Sequence, residues 1–120
     1  DHLDIASLED HLDNASSPYD AIIAADVLMY VGDLEEVFAK VVQRLTESGL
    51  FIFSIELQAE PGFKLQSSGR FAHSDAYVRQ LNSRFGFVQI QGEEMTIRME
   101  GTSPLMGMLY VLRRKAAPAP

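Results

Sequence analysis

The 120-residue chain contains no cysteine. Disulfides, thiolate metal sites and cysteine nucleophiles are therefore excluded. Positive charge is scarce: 10 Lys and Arg stand against 17 Asp and Glu, for a net charge of -7. That is the opposite of the basic footprint that nucleic-acid backbones require, and it disfavours an anionic membrane surface as a partner. No apolar run approaches the roughly 20 residues of a membrane span. The acidic start, Asp1 to Asp10, lacks the positively charged opening of a signal peptide. A cytoplasmic protein is the expectation, and the lack of cysteine is compatible with it. Histidines number 3; His2 and His11 have no partners at ligand spacing, so no metal site is expected, since zinc needs about four ligands. Also missing is the lead-in and first strand that usually open an α/β chain. A fragment of a longer protein is expected on that ground.

What is present suits one small globular domain: 47% of residues are hydrophobic and 22% charged. The most informative stretch runs from Tyr19 to Glu56 and reads strand, short loop, amphipathic helix, glycine stop, strand. Both strands are nearly continuous apolar runs, AIIAA and LFIF, as in parallel strands covered on both faces. Asp26 closes the first strand and Glu56 the second. The carboxyl ends of parallel strands form the ligand crevice of an open α/β sheet, so both acids are expected on its working edge. Between the strands, Asp33 is the expected helix N-cap, with Glu35 and Glu36 in the first turn. Leu34, Val37, Phe38, Val41, Val42 and Leu45 form the apolar stripe, and Gly49 is the expected positive-φ stop.

The flanking segments read less sharply. Leu3 to Ile5 could end a strand, Ser7 and Asp10 resemble a capping box for a helix bearing Leu8 and Leu12, and Asp13 to Pro18 reads as a loop. Leu57 to Ala72 reads as a long polar connection, a length common in lids and binding loops. Ser74 caps a second expected helix, which buries Tyr77, Val78, Leu81 and Phe85 and stops at Gly86. Phe87 to Glu100 alternates as a strand with a bulge or bend at Gly92. Glu100 to Pro104 is a turn, and Met106 to Leu112 a last, antiparallel strand. Lys115 to Pro120 reads as a disordered tail.

The segment YDAIIAADVLMYVGDLEEVFAKVVQRLTESGLFIFSIE resembles the second half of a class I S-adenosylmethionine-dependent methyltransferase. GRFAHSDAYVRQLNSRFGF and GMLYVLRR resemble, more narrowly, the bacterial methyltransferases often fused to tetratricopeptide repeats. The resemblance covers about Leu3 to Arg114. It implies an α/β fold with a partial doubly wound, Rossmann-like sheet in three α/β/α layers, ending in a C-terminal antiparallel hairpin. It also implies the order first strand, second strand, last strand, then the Phe87 to Glu100 strand at the far edge. The family's glycine-rich cofactor loop has no counterpart, because no G-x-G occurs in the chain.

By this resemblance the cofactor is S-adenosylmethionine. Asp4 would meet the adenine amino group, and Ala25 and Asp26 the methionine end. Tyr30 and Arg70 are candidates for binding a small-molecule acceptor, Arg70 as a clamp for carboxylate or phosphate. His73 and Glu56 are the candidate catalytic bases, His73 because its ordinary pKa lies near neutrality. Each also has a plain structural reading: His73 and Ser74 as capping groups, Arg70 as an ion-pair partner of Glu56 or Asp75, Tyr30 as a packed aromatic. Two functions are weighed. One is the substrate-side part of a methyltransferase, completed by a missing N-terminal half or another chain. The other is a non-catalytic α/β module that folds through homo-association, because the first strand would otherwise present an open apolar edge.

Overall fold

A computed structural model of the chain describes residues 19–24 and 27–115. The expected elements before Tyr19, the candidate residues Asp4, Ala25 and Asp26, and the tail beyond Lys115 lie outside the described residues.

The order is β1 (Tyr19–Ala24), a one-turn 3-10 helix (Leu28–Tyr30), α1 (Glu35–Arg44), β2 (Leu45–Leu57), β3 (Phe63–Leu65), β4 (Phe71–His73), α2 (Asp75–Arg84), β5 (Phe87–Glu100) and β6 (Ser103–Arg114). Strand β2 is the spine. β1 pairs parallel with it, Ile22 opposite Phe51 and Ala24 opposite Phe53. β4 also pairs parallel with it, Glu56 opposite Ala72. β6 takes the other edge antiparallel, from Leu50–Arg113 to Glu56–Gly107. β1 and β4 therefore lie end to end along one edge of β2. β6 sits between β2 and β5, the order and direction that the resemblance implies.

The core explains why these residues take these elements. On β2, Phe51, Phe53 and Ile55 alternate onto one face, all fully buried. Helix α1 lays Val37, Phe38 and Val41 on that face, and α2 adds Val78 and Leu81. Phe38 is the hub: its ring meets Phe51, Phe53 and Phe87 edge-on at 5.5, 5.7 and 5.8 Å. Both described helices thus share one face of a mixed sheet. Ile23, on the other face of β1, is 57% exposed.

Four local expectations change. Helix α1 stops at Arg44, and the positive φ falls on Ser48 (64°), not on Gly49. Gly49 is needed for space, since a Cβ there would lie 2.8 Å from the Thr46 carbonyl. The extra residues form a bulge between the Tyr19–Leu45 and Ala21–Leu50 pairs. Asp33 does not occupy the cap position itself; its carboxylate accepts from the Glu35 amide at 3.0 Å from the residue before Leu34. The connection after Leu57 is not structureless: it folds into the β3–β4 hairpin, Leu65 opposite Phe71. Ser74 does cap α2, accepting from the Tyr77 amide, and Gly86 (φ 78°) follows the helix. The last strand is longer than the alternation suggested, running the full length of β6.

Candidate active site

The carboxyl end of β2, with β4 beside it and the loop after β1, forms a rim, and four of the sequence candidates lie there. Because Phe51, Phe53 and Ile55 point to the helices, Ser54 and Glu56 point to the opposite face. Glu56 is 0% exposed. A buried carboxylate must be paired, and Glu56 is: Oε2 accepts from Arg70 Nε at 2.5 Å and Oε1 from Gln66 Nε2 at 2.8 Å. Arg70 spans a second carboxylate, donating from Nη2 to Glu100 Oε1 at 3.0 Å. Its guanidinium pKa is raised above the ordinary value, first by the hydrogen bond to Glu56, with burial opposing and the charges of Glu56 and Glu100 reinforcing. The β3–β4 hairpin makes this possible, since it carries Gln66 and Arg70 back over the end of β2.

A second arginine reaches the same carboxylate. Arg98 of β5 places Nη2 4.0 Å from Glu56 Oε2 and 3.3 Å from Met29 Sδ. Sequence reasoning missed Arg98. It stands in an alternating strand where a charge reads as solvent-facing. Its approach to the rim depends on the register shift between Thr96 and Arg98.

His73 sits beside Glu56 in the adjacent strand register but faces inward, fully buried. Its Nε2 lies 2.9 Å from both the Val31 and Gly32 carbonyls. Carbonyls only accept, so Nε2 carries the proton and donates to both. Nδ1 is then an acceptor, buried and without a hydrogen-bond partner. Burial lowers the pKa of the ring, against the pull of the two carbonyls and of Glu56. The ring stacks on Tyr77, with centroids 6.1 Å apart. Gly32 admits this packing, since a Cβ there would come within 2.7 Å of the Phe71 ring. The tyrosine hydroxyl accepts from the Leu34 amide at 2.9 Å and donates to Asp33 Oδ1 at 3.2 Å. His73 and Tyr77 thereby fasten the loop after β1 to β4 and α2. Burial of the Tyr77 hydroxyl is the main reason its pKa is pushed up to about 12.

Tyr30 is 52% exposed at the end of the 3-10 turn. The rim thus gathers exposed Tyr30 and the partly exposed Arg70 and Arg98 around buried Glu56, with His73 beneath.

Two depressions elsewhere are less suited to chemistry. One of about 420 Å³ is lined by Asp33, Glu35, Glu36, Ala39, Arg84 and Phe85. Its cation is already paired, Arg84 Nη1 lying 2.6 Å from Glu35 Oε1. The other, about 170 Å³, lies by Asn82 and Gln89. Among the described residues no three His, Asp or Glu gather as a metal site, and no helix is long and apolar enough to cross a membrane.

No family model and no curated protein matches the chain. Solved structures do. A SAM-dependent methyltransferase from Methanosarcina mazei aligns with TM-score 0.68 at 11% identity, over 88% of this chain and 65% of that one. The 1,6-didemethyltoxoflavin-N1-methyltransferase of Burkholderia thailandensis, solved with 1,6-didemethyltoxoflavin and S-adenosylhomocysteine bound, aligns with TM-score 0.68 at 12% identity, over 88% and 48%. The [4+2]-cyclase SpnF aligns with TM-score 0.70 at 11% identity, over 88% and 54%. At such identities the likeness is one of fold: the chain has the Rossmann-like α/β fold of class I methyltransferases. It spans about half to two thirds of the length of these structures.

Proposed function

We propose that the chain is the C-terminal, acceptor-side part of an S-adenosylmethionine-dependent methyltransferase acting on a small molecule in the cytoplasm. The observation that carries this reading is the arrangement around β2: two parallel strands end to end on one edge, an antiparallel last strand on the other, and a polar rim at the carboxyl end of β2. The fold likeness to methyltransferases supports it. Gly69 to Ser74, the GRFAHS segment, supports kinship with the tetratricopeptide-associated group. In this reading residues 1–114 form the C-terminal portion of the domain.

The described residues fit the acceptor side of such a site. Asp4, Ala25 and Asp26, assigned by resemblance to the cofactor, would have to hold it together with a nucleotide-binding half. When bound, S-adenosylmethionine supplies an activated methyl group. The chain's own residues then contribute position and exclusion of water. Tyr30 borders the acceptor. Glu56 fixes the Arg70 guanidinium, and Arg70 in turn orients the Glu56 carboxylate. His73, sealed from the surface, is a positioning residue that holds the Val31–Gly32 loop. Of the two candidate bases, Glu56 is the one that lies at the rim and would take an acceptor proton.

A second reading is favoured by one observation: among the described residues nothing pairs with the outer edge of β1. A strand edge of this kind invites another chain. The alternative is a non-catalytic module that associates with itself through β1. Calorimetric titration of the folded chain with S-adenosylhomocysteine separates the two. Saturable binding supports the methyltransferase reading. Absence of binding, with a dimer by light scattering, supports the module and overturns a cofactor site in this chain alone.

A further inference from the structure

Of the two arginines on the rim, only one is used up. Arg70 is 16% exposed and holds two carboxylates at 2.5 and 3.0 Å. Arg98 is 36% exposed and has only the outer reach of Glu56, at 4.0 Å. Its other described contact is a thioether sulfur, a weak acceptor. Its Nε is buried and has no hydrogen-bond partner. An unmade hydrogen bond at a buried donor is costly and rare, and calls for a reason. A guanidinium offers five donors in a planar fork suited to two oxygens at once. Among the described residues the carboxylate oxygen nearest to the Arg98 fork is 4.0 Å away, at a rim bordered by Met29, with exposed Tyr30 next in sequence.

We propose that Arg98 receives an oxyanion of the acceptor, so that the substrate is a small organic acid, a carboxylate or a phosphate monoester. The inference rests on the acceptor-side reading of the rim, and it shifts the anion clamp from Arg70 to Arg98. Glu56 then has a second task. It holds Arg70 closely and Arg98 at a distance, which keeps the second guanidinium from being neutralised.

Anion binding needs no cofactor, so it can be tested apart from the methyltransferase reading. The full chain, labelled with 15N, is titrated with benzoate, with phenyl phosphate, and with benzyl alcohol as the uncharged control. The arginine Nε resonances are followed by NMR. The expected result is a saturable shift of the Arg98 Nε with one or both anions and none with benzyl alcohol. Which anion binds tighter assigns the substrate class. Arg98→Met should weaken binding about tenfold or more, the loss of one charge-assisted hydrogen-bonded pair. Arg98→Lys should retain part of it, and exposed Arg113→Met should leave it unchanged. No Arg98 shift in the folded wild type overturns the proposal, as does equal binding by Arg98→Met. If anions bind at Arg98 but S-adenosylhomocysteine does not, the clamp stands and the cofactor reading of this chain falls.

Discussion

Strand β2 has two faces built in opposite ways. Toward the helices it places Phe51, Phe53 and Ile55, and the contacts are between hydrocarbon and ring. Away from them it places Glu56, a fully buried charge. The first face is held by many weak, undirected contacts. The second is held by a few directed ones: Arg70, Gln66 and, at 4.0 Å, Arg98. Adjacent residues of one strand thus differ in what a substitution would cost and in whether a second substitution could restore it. A stripped core leaves a cavity. A broken ion pair leaves a charge that a compensating change can remove.

The largest expected effect is on the helix-covered face. Phe38→Ala should destabilise the chain by about 4 kcal/mol in urea unfolding, as for other buried aromatics cut to alanine. No single change to Glu56 or Arg70 should rescue it.

Arg70→Met comes next, at about 3 kcal/mol, because it strands the Glu56 carboxylate. Here the comparison sharpens: adding Glu56→Gln should recover most of the loss. Additive losses in the double variant would show that the two faces behave alike.

His73 gives a smaller, pH-dependent effect. Burial lowers its pKa below the ordinary 6.5, so the folded chain binds a proton less readily than the unfolded one. Its contribution is whole above that value and is lost as pH falls below it, by at most about 1.4 kcal/mol per pH unit. His73→Gln should flatten unfolding midpoints across this window. Asp75 does not share it. Burial would raise its carboxyl, but hydrogen bonds from Tyr110 and Arg79 bring it below 3.8, so its loss comes at lower pH. A slope that persists in His73→Gln would place the titration elsewhere.

The smallest effect belongs to Arg79, 60% exposed and paired with Asp75 one helical turn away. Arg79→Ala should cost less than about 0.5 kcal/mol. This is the exposed control for the Glu56–Arg70 pair.

The core of this fold was legible where a local signal coincides with a tertiary demand. Ser74 and Gly86 bracket α2 by capping chemistry, and Phe38 and Val41 recur at helical spacing. The place of β6 beside β2 came from family resemblance, since periodicity cannot order strands. The β3–β4 hairpin was not legible, because three-residue strands such as Phe63–Leu65 are too short to show alternation. Among site residues, Glu56 was found by its place at a strand end. The inward turn of His73 was not, since His73 is drawn in by carbonyls about forty residues away. Arg98 was hidden for a related reason. Its neighbours Glu56 and Met29 are distant in sequence, and only the register shift in β5 brings it to them.

The position of β6 has a consequence for how the chain is made. Synthesis proceeds from the N-terminus, so β5 leaves the ribosome before β6 does. Yet among the described strands β5 pairs only with β6, which must slot between it and β2. Until then the long β5 has no strand to hold, and β2 lacks its antiparallel neighbour. Both are exposed edges during the interval in which nascent chains meet one another and the folding machinery of the cell. The described sheet is therefore completed from its middle by the last of its strands to arrive, and a chain stalled within β6 would carry two open strands instead of a shortened sheet.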